Sequence, residues 1–215
     1  ALVVAADVAD ASSVRACFRR AVARFRRIDV VVNNAGILIP SPVATLDPAD
    51  LRRMLDVNLF GALHVMQAAI GQMRRQATGG HIVNVASLAG RRGFSPLGGY
   101  SASKFALVGL TEALRTELLD EGKVHVSLVL PGVVDTPMAD AAAADPATSG
   151  FWPKALNMPP SWVVWSIFAA ARFKLAEVAV PPGSALLEKI ASLAPGATDR
   201  LVRSLMSAAR RTQRR

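Results

Sequence analysis

Short apolar runs alternate along this chain with segments of helical length, and that alternation is the strongest limit on what it can fold into. The runs at 2–6, 28–32, 81–85 and 124–130 predict strands, and the segments 12–26, 48–74 and 99–121 predict the helices between them. Strands joined through helices run parallel, because each crossover returns the chain to the same edge of the sheet. The expected architecture is therefore α/β, a parallel sheet covered by helices on both faces. Asp47-Pro48 supplies a helix start, Gly122 a stop before the strand at 124–130, and Pro131 that strand's end. Beyond it, 138–160 is rich in Ala and Pro and reads as irregular, followed by a helix at 161–173, a short strand at 177–180 and a helical tail. No repeat or second domain is evident, so 1–215 is expected to be one domain.

With 215 residues, 52% of them hydrophobic and 19% charged, the chain can bury a sizeable core. Its single cysteine, Cys17, excludes an internal disulfide and falls on a predicted helix as a half-buried thiol, compatible with a reducing cytoplasm. No run of eighteen uncharged apolar residues and no leader pattern is present, so the expected location is cytoplasmic. The net charge of +9 is concentrated at the C-terminus, where Arg200, Arg203, Arg210, Arg211, Arg214 and Arg215 lie among Leu201, Val202, Leu205 and Met206. This basic tail, 195–215, has the spacing of an amphipathic helix that would suit an anionic membrane surface, giving a peripheral membrane contact and a membrane-associated location as the alternative to a solvated tail. No nucleic-acid-binding motif accompanies the charge, and a nucleic-acid partner is not expected.

Chemistry concentrates in the middle of the chain. Tyr100, the only tyrosine, precedes Lys104 by one helical turn, so both project from one face if this stretch is helical. An isolated phenol ionises near pH ~10, and an adjacent ammonium favours the phenolate, so the pair is expected to act as an acid/base closer to neutrality. Tyr and Lys at this spacing also occur by chance on surface helices. Context argues otherwise: Gly79-Gly80 leads into 81–85, a buried strand ending at Ala86-Ser87, and the carboxyl edge of a parallel sheet is where ligands bind. His64, His81 and His125 are scattered, so no metal site is expected, and Ser87 lacks the flanking glycines of a hydrolase nucleophile turn.

Asn33-Asn34-Ala35-Gly36, Asn58 within Val57-Asn58-Leu59-Phe60-Gly61, Ser87, Tyr100-Ser101-Ala102-Ser103-Lys104 and Pro131-Gly132-Val133-Val134-Asp135-Thr136 occur in order and at the spacings of one family. On these motifs, spanning residues 7 to 136, the chain resembles the short-chain dehydrogenases/reductases. The resemblance implies a Rossmann-like, doubly wound parallel sheet. It also implies a glycine-rich turn near the start that cradles a dinucleotide pyrophosphate. No two glycines of this chain are separated by a single residue, so that turn is not in the sequence. Leu2 to Ala6 resembles the family's third strand, and the first two strands are expected to be absent, as in a protein truncated at its N-terminus. In the family's strand order 3-2-1-4-5-6-7 this would leave a gap of roughly 14 Å beside the strand at 28–32. Either the natural protein is longer, or Leu2 to Ala6 shifts to pair directly with that strand.

The resemblance also implies roles. Tyr100 would be the acid/base of hydride transfer between an alcohol or ketone and NAD or NADP. Lys104 would lower its pKa and bind the nicotinamide ribose, Ser87 would hold the reacting oxygen, and Asn58 would fix a water leading to the lysine. Asp7, Val8 and Val57 would lie at the adenine, Asn34, Ala35 and Gly36 at the adenosine ribose, and Pro131, Gly132, Val134 and Thr136 at the nicotinamide carboxamide. Dimers or tetramers would form through the two long helices, 48–74 and 99–121. Leu88, Arg91, Phe94, Leu97, Met138, Phe151, Trp152, Met158, Trp162 and Trp165 offer apolar walls for a hydrophobic alcohol or ketone, although Trp162, Trp165 and Phe168 also have the spacing of an ordinary core stripe. The reading is an NAD(P)-dependent oxidoreductase; the alternative is a non-catalytic fragment or binding partner unable to hold dinucleotide. A sugar-nucleotide epimerase of the related extended branch shares the Tyr-Lys pair, but the N-N-A-G segment argues against it.

Overall fold

A computed structural model describes residues 1–148, 157–200 and 204. Helix α1 (Ala11–Phe25) is capped by the Asp10 carboxylate, which accepts from the Ser12 N–H at 2.7 Å. Strand β1 (Val30–Asn33) follows, then α2 (Pro48–Leu55), which starts at Pro48 behind the Asp47 cap as expected. A π-helical turn, Asp56–Gly61, joins α2 to α3 (Ala62–Met73). Then come β2 (Gly80–Val85), α4 (Gly98–Glu117), β3 (Val124–Pro131), α5 (Pro137–Ala144), α6 (Pro160–Phe173), β4 (Glu177–Val180) and α7 (Ser184–Ser192).

The four strands form one parallel sheet in the order β1-β2-β3-β4, with Val31 opposite Ile82, Val83 opposite Ser127 and Val129 opposite Val178. Period-two alternation sorts the side chains between two cores. Ile82, Val126, Leu128 and Leu130 pack with Met66, Ala69 and Met73 of α3 and Leu107 and Val108 of α4. Val83, Val129 and Val180 point the other way, onto Ala170 of α6 and Met158. The helix running from Pro48 to Met73 has the length and apolar composition of a membrane span, yet Met54, Ala62, Met66, Ala69 and Met73 are buried inside the protein.

Three expectations change. Leu2 to Ala6 is not a strand: the segment lies off the sheet with Val3 91% exposed, which excludes the shifted pairing with β1. An apolar run needs a partner strand to become one, and the neighbour of β1 among the described residues is β2 alone. The stretch after β3 is not irregular throughout, since Thr136 accepts from the Ala139 N–H and Pro137 occupies the first turn of α5, where its missing N–H costs nothing. Trp162, Trp165 and Phe168 are no core stripe; they lie on the open side of α6, and the helix buries Ala170 instead. In the expected basic tail, residues 195–200 are helical, and residues 201–203 and 205–215 lie outside the described residues.

Candidate active site

The site is assembled at the carboxyl ends of β2 and β3 and on the first turns of α4. Val85 ends β2, and Ser87 follows in extended conformation, its Oγ accepting from the Ala89 N–H at 3.1 Å and donating to the Pro131 carbonyl at 3.3 Å. Pro131 ends β3, so this one hydroxyl bridges the two strand ends. Gly90 then lets the chain pass over α4: a Cβ there would fall 2.8 Å from the Lys104 carbonyl oxygen. That close passage sets Ser87 beside Tyr100, where its hydroxyl favours the phenolate.

Tyr100 and Lys104 share a face of α4, with Lys104 Nζ 5.7 Å from the centre of the Tyr100 ring. Lys104 is buried, and Nζ donates to the Val85 carbonyl at 3.2 Å. The electrostatics differ from the expectation of a phenol driven toward its anion. Burial pushes the Tyr100 phenol up to about 12, with the Ser87 hydroxyl opposing the rise. Burial likewise pulls the Lys104 ammonium down to about 8. Each charged form loses water that its neighbour does not replace, and at this separation desolvation outweighs the attraction.

Asn58 lies in the π-helical turn and is fully buried. The extra residue of such a turn re-aims a side chain without breaking the helix. Here the amide clasps the loop after β1: Oδ1 accepts from the Ile37 N–H at 2.8 Å, and Nδ2 donates to the Ile37 carbonyl at 2.9 Å and to Ser103 Oγ at 2.9 Å. Both amide N–H groups are thus spent on protein, and the side chain acts as a clamp where a water-holding role was expected. The clamp brings Gly36 against the site. A Cβ at Gly36 would sit 3.2 Å from Asn58 Oδ1 and 3.5 Å from Lys104 Nζ, so a larger residue would crowd the lysine.

The remaining expected residues surround this centre unevenly. Asn34 and Ala35 are exposed on the loop leading to Gly36. Segment 131–136 is pinned by the Gly132 N–H to Val180 O at 2.7 Å and by Val133 and Asp135 bonding to Met158, with Thr136 capping α5. Among the expected wall residues, Leu88 and Met158 flank Gly132. Asp7 spends Oδ1 on the Ala9 N–H, while the Val8 carbonyl meets His64 Nδ1 at 3.0 Å, which docks this segment on α3. Val57 is half-buried in the π turn beside Asn58. Arg91 is no pocket wall, since its guanidinium pairs with Glu112 and Glu177, and Trp162 and Trp165 are exposed on α6. Phe151 and Trp152 lie outside the described residues.

A buried polar relay escaped the sequence reading. Asn33 Nδ2 donates to the Ala62 carbonyl at 3.0 Å and to Asn84 Oδ1 at 3.2 Å, and Asn84 Nδ2 donates to Thr111 Oγ1 at 2.9 Å. This ties β1, β2, α3 and α4 together behind the site. Its signal was available: an asparagine inside an apolar run read as a buried strand requires a partner.

Residues 1–147 match the family model described as short chain dehydrogenase. An uncharacterised oxidoreductase of Bacillus subtilis (strain 168) is 30% identical over 207 residues, covering 96% of this chain and 58% of that protein. A sorbitol dehydrogenase of Cereibacter sphaeroides is 36% identical over 135 residues, 63% of this chain and 52% of its own length. The chain thus spans little more than half the length of these curated relatives. Among solved structures, a short chain dehydrogenase of Burkholderia cenocepacia J2315 in complex with NADP superposes with a TM-score of 0.75 at 28% identity, covering 93% of this chain and 77% of that one.

Proposed function

Because the chain belongs to the short-chain dehydrogenase family, we propose that it serves an NAD(P)-dependent oxidoreductase that interconverts a secondary alcohol and a ketone, with Tyr100 as the acid/base. The carrying observation is the convergence of a half-buried phenol, a buried ammonium and a strand-bridging hydroxyl at one carboxyl edge of the sheet. Tyr100, protonated throughout the neutral range, would give its proton to the carbonyl oxygen of a ketone, and Ser87 would hold that oxygen. Lys104, charged below about pH 8, would stabilise the phenolate that remains. Asn58 holds the Ile37 loop against Lys104 so that the three groups keep their places.

The residues present fit the nicotinamide-ribose half of a dinucleotide. A buried ammonium lies beside the bare backbone of Gly36, a donor next to a space where a Cβ would intrude. Lys104 with Asn34, Ala35 and Gly36 would hold riboses, Pro131, Gly132, Val134 and Thr136 the carboxamide, and Asp7, Val8 and Val57 the adenine. When bound, the nicotinamide supplies or accepts the hydride. NADP or NAD is named as bound in related structures, which supports either cofactor here. Leu88 and Met158 favour a hydrophobic substrate. Exposed Phe60 and Phe105 on the two long helices support a homo-oligomer formed through them.

The test is to follow NADH and NADPH absorbance with a panel of hydrophobic ketones. Consumption dependent on ketone is expected with at least one nucleotide; no consumption and no binding of either would overturn the reading in favour of a non-catalytic partner.

A further inference from the structure

Within α4, Ser103 sits between Tyr100 and Lys104 and is fully buried. A serine inside a helix commonly turns its hydroxyl back on its own backbone, and Ser103 Oγ does donate to the Tyr100 carbonyl at 2.7 Å. Its oxygen is also an acceptor for Asn58 Nδ2 at 2.9 Å, from a side chain that the same amide fastens to both backbone groups of Ile37. The hydroxyl proton and a lone pair are therefore both committed, one toward the residue that carries the phenol and one toward the loop beside Gly36. Ser101, two residues away and also buried, has no such reach: the bond formed by its hydroxyl is a long one, 3.5 Å from the Phe94 N–H.

We infer that Ser103 is a positioning residue, which through Asn58 couples the loop 34–37 to the turn of α4 that presents Tyr100. This rests on the acid/base reading of Tyr100 for its consequence in turnover, and on hydrogen-bond geometry alone for the coupling. Lys104 anchors α4 to the sheet through Val85 O, and Ser103 anchors it to the loop through Asn58 and Ile37. Two anchors on adjacent residues, pulling toward different elements, fix the rotation of the helix and hence the direction of the phenol. A group seated against residues 34–36 would therefore bear on the phenol's position through a continuous relay, without touching it.

Tyr100 is the only tyrosine, so phenolate absorbance reports it alone. The protein is jumped to about pH 10.5 and the absorbance read before unfolding, for the unmodified chain and for Ser103→Ala, Ser103→Thr and Ser101→Ala. In the unmodified chain and in Ser101→Ala little phenolate should form. Ser103→Ala, which frees the turn and admits water, should show a several-fold rise, and Ser103→Thr, which keeps the hydroxyl, should restore the original low value. In turnover, Ser103→Ala should lower kcat about ten-fold with the ketone KM little changed. The inference is overturned if Ser103→Ala behaves as Ser101→Ala, or if Ser103→Thr is damaged as much as Ser103→Ala, which would mean that packing and not the hydroxyl matters. The absorbance reading needs no turnover. A Tyr100→Phe variant that keeps full activity would sink the acid/base reading while leaving this coupling to stand or fall on the phenolate signal.

Discussion

Lowering the pH from 7 to 4.5 should destabilise this fold through one buried imidazole at the edge of the sheet opposite Tyr100. His81, 5% exposed at the start of β2, has Nε2 2.7 Å from Ser127 Oγ, and Ser127 donates its own proton to the Leu175 carbonyl. The serine therefore accepts from His81, which fixes the neutral Nε2–H tautomer and leaves Nδ1 as the site for a second proton. Charging it is opposed first by burial, then by His125, whose ring lies 5.9 Å away, and by Lys174; together they pull His81 down to about 4. In the unfolded chain the same group titrates near ~6.5. The unfolded state thus binds more protons between these values, so the stability is complete above about pH 6.5 and is lost as pH falls toward 4. The difference amounts to about 2.5 kcal/mol at pH 4.5, a large fraction of a typical folding free energy. Urea unfolding at pH 7 and 4.5 reads it as a midpoint shift of about 1 M. His81→Gln keeps a donor for Ser127 and cannot titrate, so its midpoint should fall much less; parallel pH dependence in the two proteins would refute the reasoning.

Other perturbations have equally definite outcomes. Asn58→Ala strands the Ile37 N–H and carbonyl, and should cost about 2–3 kcal/mol in thermal unfolding and expose the Ile37 amide to hydrogen exchange; unchanged exchange there would contradict the clamp. Arg91→Ala leaves Glu112 and Glu177 facing each other half-buried, and should destabilise by about 2 kcal/mol, an effect that Glu177→Gln in the same chain partly relieves in a double-mutant cycle. Ketone reduction should decline as pH rises through about 8, where Lys104 loses its charge; a Lys104→Arg variant that remains active should keep its rate above that pH.

The parts of the fold that follow from local pattern were readable. Ile82-Val83 and Val126 to Leu130 are strands because apolar residues on both faces of a sheet demand it, and Asp47-Pro48 starts a helix in any context. Leu2 to Ala6 shows the limit of that logic, since its composition matches a strand while pairing depends on what lies beside it. In the 138–160 stretch, composition concealed α5, and its capping pair Thr136-Pro137 was the better signal. The site was legible as a set of residue types at given spacings, and the structure brings Ser87, Tyr100, Lys104, Asn58 and Gly36 together. What spacing could not convey was magnitude: that Tyr100 would be half-buried and Lys104 buried, so that desolvation decides their titration. Nor could it reveal that the Asn58 amide is consumed by Ile37 and Ser103, because those partners come from a loop 21 residues away and from α4, 45 residues away in sequence.

The most direct measurement of the central claim is ketone-dependent oxidation of NADH or NADPH by the protein and by its Tyr100→Phe variant, side by side at neutral pH. Removing the hydroxyl proposed to protonate the substrate oxygen should reduce kcat at least about a hundred-fold with nucleotide binding intact. A phenylalanine variant that turns over as fast as the unmodified protein would contradict it.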